Sequence, residues 1–155
     1  MNAIQEIVFP RVRGVYLLAA LTHQYLSDRR VWACSYVYYV GESNDLAQRL
    51  LAHRSGRECI SRFGDDPRMV LLTETNRGRE ARRNSEKKFM AAAIKLGIHL
   101  VNKSQTLPSP IQIEKWKLTC EIAQLKEAVN FLLVPASPWR YWSKHKCPAL
   151  QAIAA

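Results

Sequence analysis

The stretch Tyr36 to His53, Tyr-Val-Tyr-Tyr-Val-Gly-Glu-Ser-Asn-Asp-Leu-Ala-Gln-Arg-Leu-Leu-Ala-His, constrains the fold most, because a strand, a turn and a helix must follow one another without a gap. Tyr36 to Val40 carry branched and aromatic side chains that suit a pleated, half-buried surface. Gly41 is expected to stop that strand, where it permits a sharp turn or a close ligand approach. Ser43, Asn44 and Asp45 can each accept an orphan N–H, so a helix is expected from about Asn44. Along it Leu46, Arg49, Leu50 and His53 fall at steps of three and four, which puts a guanidinium and an imidazole on the apolar face. Two readings of that face stay open. Arg49 snorkels at the edge of the stripe and His53 is an ordinary histidine, or both point into a cleft that receives a phosphate.

The other elements are read around this one. Gly14 to Leu21 reads as a buried strand, though so short an apolar run also suits a helix. Ser27-Asp28-Arg29-Arg30 marks a loop, which makes the two strands a hairpin with a long connection. Tyr16 and Tyr39 then lie on neighbouring strands, where cross-ladder packing by itself accounts for them. Gly56, Gly64, Asp65, Asp66 and Pro67 punctuate a loop before a third strand, Met69 to Thr73. A helix is expected from about Gly78 to Leu96. Its first half is basic, and Glu86 opens an apolar stripe continued by Phe89, Met90 and Ala93. An ion pair with Arg82 or Arg83 would account for that glutamate by itself. Gly97 ends the helix, and residues 98 to 102 return along the core.

Residues 103 to 113 form a Ser- and Pro-containing linker. Glu114 to Val134 has helical period, with Trp116, Ile122, Leu125, Val129 and Leu132 or Leu133 inward. The expected fold is α+β: a small three-stranded antiparallel sheet flanked by helices, with a core over 1–103 and a C-terminal helical extension and tail over 104–155. Residues 1 to 10 hold the short apolar run Ile7-Val8-Phe9.

Composition limits the function. The 155 residues carry a formal charge of +10 with ordinary hydrophobic content, which describes a folded domain with a basic surface. Nucleic acid is the first partner such a surface suggests, and an acidic membrane surface the second. Cys34, Cys59, Cys120 and Cys147 show no zinc spacing and read as reduced thiols. Val15 to Leu21 is too short for a signal segment, and no run is long enough to span a bilayer, so a soluble cytoplasmic protein of a prokaryotic or phage-type cytosol is expected. Arg140 and Lys144 sit among Trp139, Tyr141 and Trp142 in a tail able to stack bases or to tuck onto the core.

Gly14-Val15-Tyr16, Tyr39-Val40-Gly41, Arg49 with His53 four positions on, Glu86 and Asn102 together resemble, in order and type, the signature of the GIY-YIG nucleases, over roughly residues 13 to 103. The resemblance implies a DNA endonuclease with one divalent ion, Mg²⁺ or Mn²⁺. It implies Tyr16 as the group that takes the proton of the attacking water and Tyr39 as the group that holds that water or a phosphate oxygen. Arg49 would neutralise charge on the non-bridging oxygens, and Glu86 would be the single protein carboxylate on the metal, with Glu80 as the rival ligand. Asn102 would brace the site, and His53 would contact phosphate or shuttle a proton. Arg79, Arg82, Arg83, Lys87, Arg140 and Lys144 are the candidate DNA contacts. Tyr16 and Tyr39 lie 23 residues apart, more than the family usually has, so a loop around Tyr25 to Arg30 is expected as an insertion. Whether the protein is a monomer or a homodimer is left open. So is a non-cleaving, DNA-binding or partner-recruiting role on the same scaffold.

Overall fold

The computed structural model describes residues 12–28, 30–55 and 65–132, with the backbone alone for 23–26, 31–35 and 65–66. The expectations for Ile7-Val8-Phe9, Gly56, Gly64, Arg140, Lys144 and the tail's aromatic residues lie outside the described residues, as do those for Cys59, Cys147 and the Cys34 thiol. Strands β1 (Gly14–Leu26), β2 (Val31–Ser43) and β3 (Asp65–Glu74) make one antiparallel sheet in the order β2-β1-β3. Helix α1 (Leu46–Arg54) joins β2 to β3, and α2 (Arg79–Lys95), α3 (Pro110–Lys115) and α4 (Thr119–Leu132) follow.

The hydrophobic alternation along β1 decides which helix covers which face. Val15, Leu17 and Ala19 point into one cluster with Val40, Val70, Leu72, the Phe89–Ala93 turn of α2 and Leu125, Ala128 and Leu132 of α4. Tyr16, Leu18 and Ala20 point the other way, onto Val37, Met69 and Leu46 and Leu50 of α1. Central β1 is thus buried on both faces, which is why it reads as a continuous apolar run instead of an alternating one.

Four expectations are corrected. Gly41 does not end β2, which continues to Ser43; the glycine is needed for packing, as shown below. The residues between Tyr16 and Tyr39 are not an inserted loop, because β1 and β2 pair over their whole length from Gly14↔Ser43 to Leu26↔Val31, with turn conformation at Ser27, Asp28 and Arg30. Asp65, Asp66 and Pro67 belong to β3; a proline is tolerated there because β3 is an edge strand. The helix expected over 114–134 is two helices. Ser109 and Gln112 form a reciprocal capping box with Pro110 in the first turn, which starts a helix inside the expected linker. The chain then breaks at Trp116 before α4 begins.

The remaining boundaries have local causes. Asp45, not Asn44, caps α1 by accepting the Gln48 N–H at 3.1 Å. Gly97, with φ of 74°, ends α2 in a Schellman arrangement: its N–H reaches the Ile94 carbonyl at 3.1 Å and the Ile98 N–H reaches Ala93 at 3.0 Å. The chain then runs alongside β2, where the Val101 N–H donates to the Tyr38 carbonyl at 2.8 Å. Arg68 of β3 lies over the Phe131 ring of α4, 5.9 Å from its centroid, which ties the last helix to the sheet. Among the described residues no helix is long and apolar enough to cross a membrane.

Candidate active site

Register places the first two residues. Tyr16 stands opposite Gly41, one residue pair from the Leu17↔Val40 pair. Both Tyr16 and Tyr39 face α1, and their rings stack with centroids 6.2 Å apart. His53 comes from the last turn of α1, on the same side as Leu46 and Leu50, and is buried. Its Nε2 lies 2.9 Å from the Tyr16 hydroxyl, and its ring meets Tyr39 edge-on at 5.5 Å. The two open readings part here: His53 is a core histidine bonded to the Tyr16 phenol and does not line the hollow that Arg49 borders, so the expectation that it points into a phosphate cleft is corrected. Tyr16 is completely buried whereas Tyr39 keeps part of its surface exposed, so in this conformation water meets Tyr39 and not the Tyr16 hydroxyl.

Gly41 makes this packing geometrically feasible. A Cβ there would sit 2.5 Å from Tyr16 Cζ and 2.8 Å from Tyr39 Cε1. The glycine is therefore the floor on which the two rings lie.

Asn102 is far away in sequence and reaches the same strand. Its Nδ2 donates to the Val40 carbonyl at 2.8 Å and its Oδ1 accepts the Val40 N–H at 3.1 Å. The side-chain amide acts as a short length of extra strand and pins the residue before Gly41. Its role is bracing, made entirely through backbone groups.

Arg49 and Glu86 sit on helices that cover opposite faces of the sheet, yet they approach each other at its end. The Arg49 guanidinium is close enough to lower the Glu86 pKa, as is that of Arg83 and as is the Glu42 backbone N–H that the carboxylate accepts. Burial, followed by the like charge of Glu42, outweighs these and raises Glu86 from an ordinary 4.5 to about 7. Glu42 was not among the candidates from sequence. The signal was its place next to Gly41, which sends its side chain toward α2; only tertiary structure showed that Arg82 meets it there, Nε to Oε2 at 3.0 Å.

Arg82 is thus buried and engaged with a carboxylate, unlike exposed Arg79, Arg83 and Lys87. The alternative of an Arg82–Glu86 pair within the helix is replaced by this cross-element pair. Glu80 is exposed and borders a separate hollow with Arg77 and Lys87, away from Arg49.

Arg49, Glu42, Gln48, Asp45, Arg79 and Arg82 line an open hollow of about 470 Å³ beside this cluster. It is polar, concave and cationic on balance, suited to a phosphate group and its attached sugars. Among the described residues no group of three or more His, Cys, Asp or Glu side chains could cage a metal ion. The half-buried Glu86 carboxyl, with Glu42 near it, could serve a hard divalent cation that keeps most of its waters, because such an ion would stabilise the charged form of an acid that burial disfavours.

The raised Glu86 pKa has a measurable consequence. The folded protein holds this proton up to about pH 7 and the unfolded chain releases it near 4.5, so stability is lost as pH rises through that window. Without added metal, Glu86→Gln is expected to be more stable than the parent at pH 8 by about 1–2 kcal/mol, after allowance for partial solvent screening. The advantage should vanish near pH 4.5 in chemical denaturation curves. A gap that does not change with pH would contradict it.

No protein-family model, no curated protein and no solved structure matches the chain.

Proposed function

We propose that this chain is a divalent-metal-dependent endonuclease that hydrolyses DNA phosphodiester bonds, as its resemblance to the GIY-YIG nucleases implies. One observation supports this reading above the others. Tyr16, Tyr39, Arg49, His53 and Glu86 come from four separate elements and gather at one end of the sheet, beside a cationic hollow. Packing alone gives no reason to place an arginine and a half-buried glutamate there together.

The residues divide the work by position. Glu86 would hold Mg²⁺ or Mn²⁺, which when bound supplies a Lewis acid and an acidified water. Arg49, on the wall of the hollow, presents its planar fork to the non-bridging oxygens as charge builds there. Tyr39, with exposed surface, orients the attacking water. The Tyr16 hydroxyl, 2.9 Å from His53 Nε2 behind it, would take the proton of that water once a movement of the site opens it to solvent. Asn102 and Gly41 fix the strand that carries Tyr39.

Purified full-length protein incubated with supercoiled, linear and branched DNA should cut at least one of them in Mg²⁺ and none in EDTA. Mg²⁺ should also raise the melting temperature of the parent at pH 8 and leave that of Glu86→Gln unchanged. Binding without cleavage in Mg²⁺ and Mn²⁺ on every substrate would replace this reading with that of a non-cleaving DNA-binding module.

A further inference from the structure

We infer that the strand being cut leaves the site along α2, with three successive phosphates on one side of the scissile bond seated on Arg79, Arg83 and Lys87. This rests on the nuclease reading above and adds the path and asymmetry of its substrate. The three residues are exposed and fall at i, i+4 and i+8 of one helix, so they form a row with steps of about 6 Å. That step is comparable to the spacing of neighbouring phosphates along a strand. The row begins at the site itself, because Arg79 lines the hollow that holds Arg49. It passes beside Glu86, whose carboxyl feels the Arg83 charge. It continues along a second hollow of about 530 Å³ lined by Arg83, Lys87, Arg77 and Asn84, on which Glu80 is the single carboxylate.

The helix alone disfavours this arrangement. Like charges four residues apart each cost a few tenths of a kcal/mol, and Arg79 in the first turn opposes the helix dipole, costs that Glu80 and Glu86 on either side of Arg83 only partly offset. Arg82, in the same first turn, is held by Glu42 and stays out of the row. A polyanion lying along α2 offsets both costs at once, since each seated phosphate also releases counterions.

The test measures binding of fluorescent DNA oligonucleotides to the full-length chain in EDTA, with single phosphates replaced by neutral methylphosphonates and positions numbered from the cut mapped in Mg²⁺. Neutralising any of three phosphates on one side should weaken binding about 3–10-fold, and those on the other side far less. The triple variant Arg79→Gln, Arg83→Gln, Lys87→Gln should become indifferent to those three replacements. Its salt dependence should be shallower by about two to three phosphate contacts. A control triple, Lys115→Gln, Lys117→Gln, Lys126→Gln, removes the same charge from exposed positions of α3, α4 and the turn between them and should keep the parent's pattern. A symmetric pattern, a row variant that keeps its sensitivity, or an equal loss in the control would overturn the path while leaving the nuclease reading in place. Failure of the parent to bind or cut DNA would overturn both.

Discussion

Replacing Arg49 by alanine should lower DNA nicking in Mg²⁺ by about 10²–10³-fold, the usual cost of removing one preorganised donor to developing negative charge. Glu86→Gln should cost at least as much, because it removes the only carboxylate assigned to the metal. Both residues are only partly buried and neither anchors the core, so the far-ultraviolet spectrum and cooperative melting should persist. Arg49→Lys separates charge from geometry. It keeps the cation but not the planar fork, and should recover only part of the lost rate. The two single variants act on one reaction, and their combination should fall short of the product of their separate effects. Nicking at the parental rate by folded Arg49→Ala would remove the arginine from the mechanism, and the same result for Glu86→Gln would remove the metal site.

Gly41→Ala should destabilise the protein by about 2–4 kcal/mol, a large effect for a single methyl group. The added carbon would lie against the Tyr16 hydroxyl, 2.5 Å from Cζ and 2.8 Å from Tyr39 Cε1. Tyr16 has no exposed surface and cannot swing aside, being enclosed by α1, β2 and β3. Relief must come from moving β2 or from breaking the Tyr16–His53 hydrogen bond, which leaves two buried polar groups poorly satisfied. For a domain of this size the loss corresponds to a fall of about 5–15 °C in melting temperature. A second substitution supplies the control: in a Tyr16→Ala background the same methyl group should cost less, because the enclosed ring is gone and the remaining contact is with partly exposed Tyr39, which can give way. An unchanged melting temperature for Gly41→Ala alone would show that the rings are not packed on the glycine. The same substitution should also abolish nicking, since it displaces both phenols.

Much of this architecture follows from local signals. The Tyr- and Val-rich run of β2, the caps at Asp45 and Gly97 and the periodicity of α1 and α2 are near-neighbour effects, and each is visible in a short window of sequence. Boundaries were less legible where a neighbour set them. β2 runs past Gly41 because β1 supplies a hydrogen-bonding partner as far as Gly14, and Pro67 sits in a strand because that strand has only one neighbour. The long helix expected over 114–134 is instead two, because the Ser109 capping box starts α3 inside the expected linker and the backbone at Trp116 turns to the extended region before α4.

What the amino-acid order determined by itself was the set of chemical groups and the elements that carry them: two phenols on paired strands, a guanidinium and an imidazole on one helix face, and an acid on another. Tertiary structure decided how they are used. It buried Tyr16 against His53, committed Arg82 to Glu42, bound Asn102 to the Val40 backbone and brought Glu86 within electrostatic reach of Arg49. These contacts join residues tens of positions apart, and spacing along a chain carries no information about which charges will meet at the end of a sheet. The physical reason is that burial and Coulomb interaction depend on distance in space, which only the packed fold supplies.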